Sequence, residues 1–418
     1  MSELAALAGP FAGQSSAGRA GGWAKIWYAW WMKWFVWLVL LLGVVGCVTE
    51  APVVVATAVP PTPTPIPTNA CERFAEVTVV ETAVSPAPIT STTTPPPRYA
   101  VHTLFVDETI VNLAAEAGFD TIVQVLPWRD VQPAPDQFAW DAADALVKMV
   151  RQRGLNLVLR LDMPPAWAVQ NDPAGLPFDL AAYGGFVTAV AQRYRGEILG
   201  YIIWNEPNLA AEWSRSGGNL EDHWARFDGW VADPADYVGV LGVAFRQIRA
   251  ADPQALVVGG GLAPTNETSP RAVDDRVFLE QLWAAGMADC LDVLALHAYG
   301  FGLSPDAPND IHNNLNLGRI VQMHDITQAA GVSKPIWITE LGYTVVDGNQ
   351  PAVSEVQQAD YLLAARARAA DEWPWVALFT VWNLVYGRSP TDEMSGYSLV
   401  NPDLSPRPAF YAWQQSTP

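Results

Sequence analysis

From residue 98 onward, short apolar runs alternate with stretches whose apolar positions recur at helical spacing. The runs fall at 100–105, 121–126, 155–161, 198–204, 255–260, 293–297, 335–339 and 376–381. Tyr201-Ile-Ile-Trp204 is apolar at consecutive positions, as a strand buried on both faces should be. Helix boundaries between the runs are marked by side chains. Asp141 opens a helix that closes at Gly154, and Asp179 opens one that closes at Gly196. Asp233-Pro234 supplies a cap followed by proline at the first helical position, and Ser354-Glu-Val-Gln357 fits a capping box. Eight strands alternating with helices over residues 98–418 predict a (β/α)8 TIM barrel of the α/β class. An open doubly wound sheet is disfavoured. Polar residues at the strand ends are spread over nearly every strand, not gathered at one switch point.

Two segments of different texture precede the barrel. Residues 34–45 form an apolar run of signal-peptide length behind Lys25 and Lys33. The run ends in Val44-Val-Gly-Cys47, which resembles a bacterial lipoprotein cleavage box with Cys47 as the acylated residue. An uncleaved anchor fits as well, because residues 26–48 are interrupted only by Lys33 and are long enough to span a bilayer. Trp23, Trp27, Trp30, Trp31, Trp34 and Trp37 suit a membrane interface under either reading. Residues 1–48 are therefore expected to be a signal peptide or membrane anchor, with the rest of the chain extracytoplasmic, either attached to the membrane or secreted. Residues 49–97 are Pro/Thr-rich and are expected to form an extended tether at about 3 Å per residue. Cys71 lies within it and either pairs with Cys290 or remains a free thiol.

With 50% hydrophobic and 16% charged residues the chain can bury a large core. A net charge of −19 argues against nucleic acid or an anionic membrane surface as partner. The three cysteines show no metal spacing, and the five histidines include no HExxH pair. Gly259-Gly-Gly261 lacks the lysine and the spacing of a phosphate loop. Neither a cofactor nor a catalytic metal is expected.

In a barrel, catalytic groups come from the C-terminal ends of the strands. Those ends carry His102 on the first, Gln124 and Trp128 on the second, Arg160 and Asp162 on the third, and Asn205 and Glu206 on the fourth. His297 and Tyr299 follow on the sixth, Glu340 on the seventh, and Trp382 and Asn383 on the eighth. Two carboxylates, several hydrogen-bonding groups and flat aromatics are what a sugar site needs. Strands four and seven lie nearly opposite each other, so Glu206 and Glu340 should face across the mouth. Tyr299 is placed to donate to Glu340. Asn205 and Glu206 are consecutive, so a regular strand would aim them at opposite faces; the strand should be irregular there. Trp128 and Trp167 read as subsite platforms or as core.

Trp204-Asn-Glu-Pro-Asn208, His297-Ala-Tyr299, Trp337-Ile-Thr-Glu340 and Val381-Trp382 resemble the signature of the clan A glycoside hydrolases. The nearest flavour is families thirty-nine and five, the β-xylosidases, cellulases and their relatives, and the likeness runs over residues 99–413. It implies a retaining glycosidase that cleaves β-linked poly- or oligosaccharides, with Glu206 as acid/base and Glu340 as nucleophile. Asn205 would hold the sugar 2-hydroxyl, and Trp382 would floor the cleavage subsite. His297, Tyr299, Trp128 and His102 complete the expected substrate contacts. One departure is visible: Gln124 stands where many clan members carry arginine on the second strand, and Arg160 on the third is not read as its replacement. That departure is the one feature favouring a barrel that binds carbohydrate without turnover. A transglycosylase would use the same two glutamates.

Overall fold

The structure, a computed structural model, describes residues 69–77, 97–170, 175–214, 229–308, 315–387 and 389–416. The expected signal or anchor segment, including Cys47, and most of the Pro/Thr-rich stretch lie outside these residues. Eight parallel strands close into one barrel in sequence order. They are β1 (Arg98–Thr103), β2 (Thr121–Val125), β3 (Asn156–Leu161), β4 (Gly200–Ile203), β5 (Leu256–Leu262), β6 (Val293–His297), β7 (Ile336–Leu341) and β8 (Val376–Val381). A helix follows each: α1 (Glu108–Glu116), α2 (Asp141–Gln152), α3 (Leu180–Arg193), α4 (Pro234–Ala251), α5 (Asp275–Ala284), α6 (Arg319–Ala329), α7 (Glu355–Asp371) and α8 (Pro408–Ser416).

The capping side chains mostly act where the sequence places them. Asp179 accepts from the Ala182 amide, Asp233 accepts from the Ala235 amide, and the Ser354–Gln357 box is closed in both directions. Asp141 opens α2 where the sequence places it, though not as its cap. Trp140 occupies the cap position of α2 without a side-chain bond, and Asp141 is the first helical residue, where its charge still complements the positive end of the helix.

The barrel interior is built in storeys. Ala100, Val123, Val158, Ile202, Val258, Val293, Trp337 and Leu378 form an apolar plug, one side chain from every strand. Side chains alternate in direction along a strand. Two positions further on, His102, Arg160, Thr339 and Thr380 therefore point inward as well, and on β6 His297 does so two positions beyond Ala295, which also belongs to the plug; together they form a polar storey on top of it. The outward-facing set, with Ile122, Leu157, Ile203, Leu294 and Ile338, packs under the helices in the main core.

Part of the expected tether does not run free. Residues 69–77 lie as a strap along α4, beginning with a 3-10 turn at Ala70–Glu72. Arg246 donates to the carbonyls of Cys71 and Phe74 at 2.6 and 3.0 Å, and Arg73 pairs with Asp236 at 2.9 Å. Cys71 is disulfide-bonded to Cys290, which decides between the two states left open by the sequence. The strap approaches α4 so closely that a Cβ at Gly242 would sit 2.2 Å from the Cys71 carbonyl oxygen. Asn69-Ala-Cys-Glu-Arg-Phe-Ala-Glu-Val77 interrupts the Pro/Thr pattern with apolar residues, and these give the segment something to bury. Cys290→Ser is expected to lower the melting temperature by about 5 °C, because an undocked strap uncovers α4 and loses a covalent closure. Thermal scans with and without reductant check this: reduced wild type should match the variant.

Candidate active site

β4 ends at Ile203, and the next residues leave extended geometry. Trp204 (φ 69°) and Glu206 (φ 40°) are both left-handed. Such conformations are unfavourable for side-chain-bearing residues and persist only where the surroundings enforce them. Here Trp204 turns out into the helix layer, stacked on Phe178 at 4.8 Å, with its indole N–H donating to the Glu212 carbonyl. The Glu206 amide donates to the Gly261 carbonyl at 3.0 Å. This break frees Asn205 and Glu206 to share the mouth of the barrel, as the sequence required. Asn208 is wholly buried and structural, bonding the backbone of Ala263 in both directions.

The register of β6 against β7 shifts between Leu296 and His297, which sets Glu340 opposite His297. Glu340 is buried, and both of its oxygens are held. Oε1 accepts from Arg160 Nη1 at 3.1 Å, and Oε2 accepts from the Tyr299 hydroxyl at 2.6 Å. His297 Nδ1 lies 2.7 Å from Glu206 Oε1 and 3.7 Å from Glu340 Oε2. One oxygen from each glutamate and a ring nitrogen of His297 all lie within 4.8 Å of one another.

Arg160 overturns the sequence reading. Gln124 faces away from the interior, accepting from the Thr103 hydroxyl at 2.6 Å and donating to the Val125 carbonyl. The cation comes from the neighbouring strand, where Arg160 stands two residues beyond Val158 of the plug. Arg160 pairs with Asp162 at 2.9 Å and donates to Asn205 Oδ1 at 2.9 Å as well as to Glu340. Glu340 is therefore held by a cation despite the departure at Gln124.

The two carboxyls are pushed in opposite directions. Burial raises Glu206 above the usual carboxylate range and outweighs its contact with His297; the charges of Glu340 and Glu212 act in the same sense. Burial also pushes Glu340 upward, but His297, Arg160 and the Tyr299 hydroxyl outweigh it and leave the group below its usual range. His297 is pushed down by burial but held above its ordinary value by the two carboxylates. A pair split in this way can keep one acid protonated beside an ionised partner.

The other expected residues divide. His102 lies on the floor beside this cluster, pushed down to about 3 by burial and so neutral, with both ring nitrogens unpartnered among the described residues. Trp382 is 8% exposed and meets Tyr299 and Tyr397 edge-on at 6.2 and 5.4 Å, forming an aromatic wall. Trp128 is a correction. It is fully buried, stacked on Phe186 at 5.6 Å, with its N–H donating to Gln132, and offers no face to a ligand. Two groups were missed. Gly261 lets His297 in: a Cβ there would lie 2.3 Å from Nε2. Glu212 accepts from Asn205 Nδ2 at 3.1 Å. The Gly259-Gly-Gly261 run was the available signal for the first; a strand interior seldom tolerates glycine unless something must approach closely.

A family model described as Cellulase (glycosyl hydrolase family 5) matches residues 84–379, which include both glutamates. A family 39 glycoside hydrolase from Bacteroides cellulosilyticus WH2 superposes with a TM-score of 0.57 at 19% identity, over 77% of this chain and 63% of that one. This chain thus spans less than two thirds of the Bacteroides protein. A GH10 structure from Paenibacillus barcinonensis gives 0.51 at 19% identity, covering 77% and 96% of the two chains. Native xylanase 10B from Thermotoga maritima gives 0.52 at 16%, covering 77% and 94%. At such identities the structural likeness establishes the shared barrel alone.

Proposed function

The chain belongs to the cellulase family, glycosyl hydrolase family 5, and is a glycoside hydrolase; we propose that it cleaves β-O-glycosidic bonds with retention, through a glycosyl-enzyme on Glu340. The observation that carries this reading is the separation of the carboxylates. Retaining enzymes hold their two carboxyl groups about 5–5.5 Å apart, and inverting enzymes need about 6.5–9.5 Å to admit a water. A closest approach within 4.8 Å supports the first class.

In the first step a Glu340 oxygen bonds the anomeric carbon as the bond to the leaving oxygen breaks, and Glu206 passes its proton to that oxygen. In the second, Glu206, now a carboxylate, takes a proton from water. The water oxygen attacks the anomeric carbon, and Glu340 departs with the electron pair of the ester bond. Arg160 and Tyr299 hold Glu340 ionised and oriented for attack. Trp382 offers an apolar wall to the sugar C–H face. His102, neutral and buried beside Glu340, Arg160 and His297, forms part of the floor beneath the cleft.

Proton NMR during hydrolysis of an aryl β-glycoside tests the stereochemistry: the β-anomer of the free sugar should appear first and mutarotate later. An α-anomer at the earliest times would place the protein in the inverting class. Gly261→Ala supplies a check on the geometry. Its Cβ displaces His297 and with it the Glu206 contact, so kcat is expected to fall about 100-fold while folding persists. Steady-state kinetics beside a thermal scan separate the two effects.

The disulfide supports an extracytoplasmic home, since such bonds persist in oxidising compartments. The apolar run before Cys47 supports attachment to the membrane through the N-terminal segment, with residues 1–48 as signal or anchor.

A further inference from the structure

The two ends of a side-chain amide differ in kind: oxygen only accepts hydrogen bonds and nitrogen only donates them. Asn205 lies between two neighbours that each allow a single answer. On one side is the Arg160 guanidinium, a donor, 2.9 Å from Oδ1. On the other is the Glu212 carboxylate, an acceptor, 3.1 Å from Nδ2. A flipped amide would set oxygen against carboxylate and NH2 against guanidinium, losing both bonds and adding two repulsions. Glu212 is itself well held. It sits in the short helix Ala210–Trp213, its carbonyl accepts from the Trp204 indole at 3.0 Å, and the next residue, Trp213, is buried. Among the described residues the second N–H of Asn205 Nδ2 has no partner.

We propose that Glu212 is a positioning residue that locks the Asn205 amide with its nitrogen toward the sugar, so that full turnover requires a hydroxyl beside the anomeric carbon. The inference rests on the glycosidase reading above and deepens it. Asn205 meets the 2-hydroxyl as a donor only, and the sugar oxygen takes the N–H that Glu212 leaves over. Without Glu212 the amide keeps a bond to Arg160 but is free to swing, and the donor toward the substrate loses its aim. A pull of this kind, realised most fully in the transition state, appears in kcat more than in KM.

The test uses the full chain with 4-nitrophenyl β-D-glucoside and β-D-xyloside and the 2-deoxy analogue of whichever is turned over better. In Glu212→Ala, kcat/KM on the hydroxylated substrate is expected to fall about 10-fold or more, the scale of a hydrogen bond to a charged group. Turnover of the 2-deoxy analogue should stay within about 2-fold of wild type, because no hydroxyl is there to be held. Glu212→Gln, whose amide oxygen can accept the same bond, should recover most of the preference for the hydroxyl. Equal losses on both substrates, or no loss on either, overturn the positioning role and leave the glycosidase reading intact. Absence of turnover by wild type on every β-glycoside overturns both.

Discussion

Replacing Glu340 with alanine is expected to lower kcat/KM on aryl glycosides by on the order of 10⁵-fold, with kcat falling in parallel. The loss is large because, in the proposed mechanism, the covalent step has no substitute. No other carboxylate shares the cluster of Glu206, His297 and Glu340 among the described residues. Arg160 keeps its pairing with Asp162 and its bond to Asn205, so the variant should fold and melt near the wild-type temperature. Added azide should reach the anomeric carbon from the vacated face and yield an α-glycosyl azide. A variant retaining more than about 1% of wild-type activity, far above the loss of a nucleophile, would place the attacking group elsewhere.

Glu206→Ala should behave differently, and the contrast is diagnostic. With a poor leaving group such as an oligosaccharide, loss of the acid is expected to cost about 10²–10⁴-fold. With a 2,4-dinitrophenyl leaving group, which needs no proton, formation of the glycosyl-enzyme should survive and hydrolysis of it should become limiting. Azide, which needs no general base, should then restore turnover and give the β-glycosyl azide. An α-azide from this variant would reverse the roles of the two glutamates. The pH profile follows from the shifts. In the proposed double displacement, turnover needs Glu340 ionised and Glu206 protonated. Its acid limb therefore lies below the usual carboxylate range, and its alkaline limb above it. The alkaline limb follows the loss of the Glu206 proton, from a carboxyl that His297 Nδ1 contacts at 2.7 Å. In Glu206→Ala, kcat/KM on the activated substrate should lose the alkaline limb and keep the acid one, which titration from low to high pH will show.

How much of this was legible in the chain depends on distance along it. The strand–helix alternation follows from local periodicity, and every barrel strand lies close to an apolar run. The helix starts at Asp179, Asp233 and Ser354 were legible for the same reason, since a cap bonds an amide only two or three residues away. The break after β4 was legible because Asn205 and Glu206 could not both face the mouth of a regular strand.

Arg160 and Trp128 were misread for different causes. The choice between inward and outward rests on strand parity, and a shift of one residue sends a side chain to the other face. Gln124 lies one step past the inward Val123, and Arg160 two steps past the inward Val158, so the cation arrives from β3 and not β2. Trp128 starts a short helix beyond β2, and nothing in its own neighbourhood reveals that Phe178, Tyr183 and Phe186 close over it from residues 50 or more further on. The strap of residues 69–77 was hidden likewise, since its partners on α4 and at Cys290 come from the far side of the barrel sequence.

By itself the sequence determined the repeating βα units, most of their caps, and two glutamates at the ends of strands four and seven, because each of these depends on residues within a turn or a pleat of one another. Only the tertiary structure decided which cation holds Glu340, which tryptophan is buried away from the cleft, how Asn205 is oriented, and where residues 69–77 dock. Those outcomes turn on contacts between side chains distant in the chain, and closing the barrel brings them within hydrogen-bonding distance.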